Sequence, residues 1–225
     1  MRILVVGGSG DIGQGILDVI PTQEHLVGAH YFKNKKYHYQ VEWFQADLRD
    51  TTQNIQLIKD FVDWADGIDV LIIASGGRFE NWKEDVELNL MSPYILSNWA
   101  MKFMKKNHEL NKIIFIGTAS ALHGAGNKNI SYGLAKAGLV SLTKAMARDG
   151  SKYNILVNCI APGYIETKSQ KKWKTEEEIK KRIEMIPLGR AGTTRDIGEL
   201  VWFLVSEKNR FINGQYIQID GGDWL

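Results

Sequence analysis

Residues 3–13 read Ile3-Leu4-Val5-Val6-Gly7-Gly8-Ser9-Gly10-Asp11-Ile12-Gly13. The four aliphatic residues suit a strand buried on both faces. The glycines that follow allow a sharp turn and a close approach of backbone N–H groups to a pyrophosphate, and a helix N-terminus just beyond adds a field that favours an anion. A ligand-free strand-to-helix turn would use the same glycines. The position, directly after a first strand and opening a helix over 13–20, favours the dinucleotide reading. Gly7, Ser9, Gly10, Asp11, Ile12 and Gly13 are therefore candidate cofactor contacts.

Outward from this loop, short apolar runs alternate with helical patterns. Strands are predicted at 26–32, 41–48, 70–74, 113–116, 155–160 and 216–219. Helices are predicted at 52–65, 86–104, 134–146 and 196–205, each with apolar residues at helical spacing. This alternation predicts an α/β fold: a doubly wound, mostly seven-stranded parallel sheet of Rossmann type in one domain over 1–225. Only Lys33 to Gln40 separates the second and third strands. A parallel crossover containing a full helix needs a dozen or more residues, so a shortened β2–β3 connection with at most one helical turn is expected.

Composition narrows the function classes. The chain has 225 residues, 28 Lys plus Arg and 26 Asp plus Glu, for a net charge of +2. That balance does not point to nucleic acid. The single cysteine, Cys159, leaves no intrachain disulfide and no cysteine-cluster metal site, and no metal is expected. The four apolar residues before the glycines are too few for a signal-peptide core, and there is no apolar run of membrane-spanning length. A cytoplasmic protein without membrane association is the expectation.

The end of the second strand selects between dinucleotides. An acid there would accept from a ribose 2′-OH. This strand runs Val27-Gly-Ala-His30-Tyr-Phe-Lys33, without a carboxylate. His30, Lys33 and Lys35 could face a 2′-phosphate, which leans toward NADP(H) over NAD(H). Lysines that are merely solvated would leave the preference open.

Tyr132-Gly-Leu-Ala-Lys136 places a phenol and an ammonium at i and i+4, on one helix face. A phenol titrates near 10, and a neighbouring ammonium stabilises the phenolate. Such a tyrosine can act as general acid or base toward a carbonyl or alcohol oxygen. By itself the spacing is common on surface helices.

Together these segments resemble the short-chain dehydrogenase/reductase family, and in motif order its 3-oxoacyl-ACP-reductase-like members. The resemblance rests on the glycine loop, Asp47, Trp82 with Asn89, and Tyr132 with Lys136. It continues through Asn158-Cys-Ile-Ala-Pro162-Gly163-Tyr-Ile165-Glu-Thr167, Ile186-Pro-Leu-Gly-Arg190-Ala-Gly, Phe211-Ile-Asn-Gly214-Gln and Asp220-Gly-Gly222. It implies an NAD(P)-dependent oxidoreductase that moves a hydride between nicotinamide and a carbonyl or alcohol substrate. Tyr132 would carry the proton. Lys136 would hold the nicotinamide ribose and depress the Tyr132 pKa, and Asn89 would position a relay water. Pro162, Gly163, Ile165 and Thr167 would support the nicotinamide and phosphates, while Asp47 and Leu48 would meet adenine. It also implies a homodimer or homotetramer through the helices at 86–104 and 134–146.

Three departures from the pattern stand out. Asp11 occupies a position usually held by glycine, where a carboxylate would repel a pyrophosphate unless it points away. The usual Asn-Asn-Ala-Gly reads Ile73-Ala74-Ser75-Gly76, with Ser75 and Gly76 still able to line the adenosine side. The position of the family's serine falls on Thr118, with Ser120 as rival. A threonine hydroxyl can donate the same hydrogen bond.

A substrate lid is expected around 168–186. Lys168, Lys171, Lys172 and Lys174 surround Trp173 there, and Thr175 is a plausible cap for a helix opening at Glu176. A basic lid would attract an acidic substrate or phosphorylated carrier, whereas a solvated surface would have the same composition. His123, Trp173 and Trp224 are candidate pocket aromatics. A non-catalytic NADP(H)-sensing regulator on the same fold is the rival reading. Such a sensor would need none of Tyr132, Lys136 and Asn89.

Overall fold

The computed structural model describes residues 1–36, 38, 40–106, 109–124, 130–168 and 175–225. Seven parallel strands form one sheet in the order β3-β2-β1-β4-β5-β6-β7. They are β1 Arg2–Val6, β2 Leu26–Tyr31, β3 Val41–Gln45, β4 Val70–Ile73, β5 Asn111–Ile116, β6 Ile155–Pro162 and β7 Tyr216–Ile219. The central strands β4 and β5 are buried throughout; β4 is wholly aliphatic, while β5 also buries Asn111 and Lys112, whose ammonium donates to the Val205 and Ser206 carbonyls.

The helices are α1 Asp11–Leu17, α2 Thr51–Ala65, α3 Trp82–Val86, α4 Ser92–Met104, α5 Ile130–Ser151, α6 Glu176–Glu184 and α7 Thr194–Val205. One face of the sheet packs against α2, α4 and α5, through Leu57, Phe61, Leu96, Leu139 and Met146. The other face packs against α1 and α7, through Ile16, Leu17, Ile197, Val201 and Leu204. The order in which successive strands are added to the sheet reverses between β1 and β4. In open α/β sheets, the crevice beyond the strand ends at such a reversal is where ligands bind.

The short β2–β3 connection carries no helix among the described residues, and Gln40 turns into β3 with φ 57°. The helix expected at 86–104 is instead three pieces. A wide π turn, Glu87–Met91, separates α3 from α4. Pro93, which has no N–H to give to an i−4 carbonyl, stands at the start of α4. The helix expected at 134–146 extends over the whole of α5. A 3-10 turn at Ala119–His123 follows β5. No described helix is long and apolar enough to cross a membrane.

Candidate active site

The glycine loop is held from β2. Gly7 N–H donates to His30 Nδ1 at 3.1 Å, and His30 Nε2 donates to the Ala46 carbonyl at 3.0 Å. The ring is 3% exposed, and burial pushes its pKa below the usual 6.5. This corrects the expectation that His30 could face a 2′-phosphate: both ring nitrogens are used, and the ring fixes the loop. Gly7 turns with φ +80°, and a Cβ there would lie 2.6 Å from Ser75 N. At Gly13 a Cβ would lie 2.2 Å from the Gly7 carbonyl oxygen. The first turn of α1 therefore sits directly on the loop.

Asp11, in that first turn, accepts the backbone N–H of Lys168 on Oδ2 at 2.8 Å. Its carboxylate is thus directed at the start of the expected lid. Of the lid residues, Lys171, Lys172, Trp173 and Lys174 lie outside the described residues. Beyond them Thr175 caps α6 in a capping box with Glu178.

A cavity of about 300 Å³ opens beside the loop, lined by Gly7, Gly10, Phe32, Leu48, Ser75 and Gly76 among others. Ser75 lines it, and its Oγ is buried without a hydrogen-bond partner among the described residues. An orphaned hydroxyl of this kind needs a polar partner from a ligand or water. The glycine turn, the orphaned hydroxyl and the cavity together fit the adenosine and phosphate portion of a dinucleotide.

At the far rim Asp47 and Arg49 form a two-point ion pair at 2.7 and 2.9 Å. The Arg49 side chain holds the Asp47 carboxyl below its usual range. Arg49 also bonds Glu84 at 3.0 Å and lies over the Phe32 ring, as does Lys33. Sequence reasoning missed Phe32 and Arg49. The available signal was an arginine two residues past Asp47.

The other end of the cavity reaches the Tyr132 helix through Gly76. A Cβ on Gly76 would lie 3.1 Å from both Asn89 Oδ1 and Lys136 Nζ. Asn89 is fully buried in the π turn. Its Oδ1 accepts from Gly77 N at 3.2 Å, and its Nδ2 donates to the carbonyls of Gly77 and Asp85. Lys136 Nζ donates to the Ile116 carbonyl at 2.9 Å, and burial lowers its pKa to about 8.

Tyr132 departs from the expectation. Burial raises its pKa above the usual 10, and the cation that opposes this is Arg78, through its positive charge. The guanidinium lies over the Tyr132 ring at 4.8 Å. Lys136 was expected to depress the Tyr132 pKa; the cation found over the ring is Arg78, which the sequence reading did not single out.

Thr118 and Ser120 converge, their hydroxyl oxygens 3.1 Å apart. The Tyr216 hydroxyl donates to the Thr118 carbonyl, which fixes the backbone between β5 and the 3-10 turn. Gly163, just past Pro162, packs on Asp220, and Ile165 bridges Gly192. Thr167 lies between Ile165 and the start of the lid. His123 stacks on Trp224 at 4.3 Å, and Asp223 pairs with Arg182 of α6. Cys159 is buried, with its thiol pushed up to about 12 by desolvation.

Comparison with known proteins agrees with this architecture. Residues 29–223 match a family model described as enoyl-(acyl carrier protein) reductase. A probable 2,4-dienoyl-CoA reductase of Bacillus subtilis is 34% identical over 83% of this chain and 78% of its own length. The chain belongs to the short-chain dehydrogenase/reductase family. The 3-oxoacyl-[acyl-carrier-protein] reductase FabG of Vibrio cholerae is 32% identical over 75% of this chain and 72% of its own length. Among solved structures, the TT0495 protein of Thermus thermophilus superposes with TM-score 0.91 at 25% identity, covering 99% of this chain and 98% of the other. A short-chain dehydrogenase/reductase of Serratia marcescens superposes with TM-score 0.87 at 24% identity, covering 99% and 97%. Members of the short-chain dehydrogenase/reductase family are oxidoreductases that transfer hydride with nicotinamide cofactors.

Proposed function

We propose that this protein interconverts a small carbonyl compound and its alcohol, with Tyr132 as the general acid and base. The observation that carries the reading is Gly76. It lines the cavity beside the glycine loop, and it packs so closely on the other side that a Cβ would lie 3.1 Å from both Asn89 Oδ1 and Lys136 Nζ. The lining of the dinucleotide cavity thus lies against the Tyr132 helix. The nicotinamide, when bound, supplies or accepts the hydride.

The protein's own groups supply the rest. The Tyr132 hydroxyl gives its proton to the substrate oxygen during reduction and takes it back during oxidation. Thr118 or Ser120 donates a hydrogen bond to the same oxygen. Lys136 holds the nicotinamide ribose and remains poised near neutrality, its pKa lowered to about 8. Asn89 keeps the turn at Gly77 in place beside the site. Gly7, Ser9, Gly10, Ile12, Gly13 and Ser75 cradle the phosphates and adenosine, with Asp47 and Leu48 at the adenine. Pro162, Gly163, Ile165 and Thr167 border the nicotinamide.

The cofactor proposed is NADP(H). Support comes from Lys33, which lies over Phe32 where β2 ends without a carboxylate; Arg49, over the same ring, is already paired with Asp47 and Glu84. Homodimers or homotetramers are proposed through the exposed Met91, Tyr94, Ile130 and Leu134 of the π turn, α4 and α5. The test is a fluorescence titration with NADPH and with NADH, followed by a screen of carbonyl substrates. Tighter binding of NADPH supports the cofactor assignment. Tighter binding of NADH overturns that assignment alone. Binding of neither overturns the enzyme reading.

A further inference from the structure

Arg78 lies outside every motif that carries the family resemblance, yet its guanidinium rests on the Tyr132 ring. Its placement is built from both sides. The preceding residue, Gly77, is gripped by Asn89, which bonds both its N–H and its carbonyl. The following residue, Phe79, donates its N–H to Asp85 Oδ1 at 3.1 Å. The other Asp85 oxygen accepts from Ser131 Oγ, one residue before Tyr132. A single buried carboxylate thus joins the Arg78 loop to the start of the Tyr132 helix. Among the described residues Arg78 itself makes no ion pair, so its charge is not cancelled by an adjacent carboxylate.

Each charged or titratable group facing Tyr132 can be placed. Asp85, from α3, opposes a negative charge on the phenol, but both its oxygens are occupied by donors. Lys136, one turn along α5, directs its ammonium to the Ile116 carbonyl. Tyr216, from β7, is committed to the Thr118 carbonyl. Arg78, from the loop after β4, is the group that favours a negative phenol.

We propose that Arg78 is a positioning residue for Tyr132, a clamped guanidinium that holds the phenol ring and stabilises charge on its oxygen. This rests on the reading of Tyr132 as the proton-transfer residue. Guanidinium is always charged and stacks on aromatic faces, so it can do both at once.

The test reads the phenol directly and requires no substrate. The protein is labelled with 3-fluorotyrosine, whose lowered pKa brings ionisation into a milder pH range. Fluorine NMR then follows the 8 tyrosines, and the Tyr132 resonance is assigned by its absence in Tyr132→Phe. In Arg78→Gln the Tyr132 midpoint is expected to rise by about one pH unit, the lower end of what an adjacent opposite charge does. Arg78→Lys is expected to recover most of that shift, and the exposed Tyr94 is expected not to move. An unchanged midpoint in Arg78→Gln overturns the proposal. So does a rise that Arg78→Lys fails to reverse, because packing and not charge would then be responsible. Failure of the underlying reading shows separately, as retained turnover in Tyr132→Phe, and removes any part for Arg78 in the reaction.

Discussion

Asp11 Oδ2 accepts the backbone N–H of Lys168 at 2.8 Å, joining the first turn of α1 to the segment that leads into the lid. The carboxylate that threatened the phosphate cradle is therefore used as a tether. Asp11→Ala removes the acceptor, and exchange of the Lys168 amide is expected to quicken by about tenfold, the equivalent of one ordinary hydrogen bond. Amide hydrogen exchange with mass spectrometry measures it. An unchanged rate would mean the tether does not hold in solution.

Tyr132→Phe deletes only the hydroxyl. Turnover is expected to fall by about 10²–10⁴, the usual contribution of a positioned general acid. Dinucleotide binding is expected to stay within about twofold, because the hydroxyl lies outside the adenosine cavity. Steady-state kinetics beside a fluorescence titration separates the two effects.

Gly13→Ala places a methyl group 2.2 Å from the Gly7 carbonyl oxygen and 2.7 Å from Gly8 Cα. Both are backbone atoms, so relief requires the loop or helix to move. A loss of about 1–3 kcal/mol is expected. Weaker dinucleotide binding should accompany it, since the same N–H groups would be displaced. Thermal melts with and without NADPH measure both. A variant as stable as the parent would show that the loop and α1 are less tightly apposed than described.

His30 makes stability depend on pH. Burial lowers its pKa in the folded protein below 6.5, so the unfolded chain takes up a proton first as pH falls. Stability is full above about 6.5 and declines below it, until the folded His30 also titrates. His25, also lowered chiefly by burial, acts in the same window. The difference between the parent and His30→Gln therefore isolates the contribution of His30. Melting temperature is expected to fall more steeply from pH 7 to pH 5 in the parent. Parallel curves would remove the histidine from the account.

The local parts of this molecule were legible because local chemistry writes them. Strands of uninterrupted Val, Ile and Leu, the glycine turn and the capping threonine before Glu176 each rest on neighbours in sequence. Tyr132 with Lys136 was visible as a spacing, and the short β2–β3 connection as a length. His30 was misread because its burial comes from β2 lying between β1 and β3, a property of the sheet. Arg78 was invisible because its contact with Tyr132 depends on Asn89 and Asp85, which belong to other elements. The division of the 86–104 helix was signalled by Pro93, but whether a proline kinks, ends or widens a helix depends on packing.

The lone thiol has a practical consequence. Cys159 is buried, and the free thiolate that alkylating reagents need is suppressed by its raised pKa. A cysteine introduced on the surface of α6, such as Lys180→Cys, would thus be the one group that a maleimide dye captures in the folded protein. The chain comes ready for a single-site optical reporter of how α6 responds to dinucleotide and substrate, with no need to rebuild its core first.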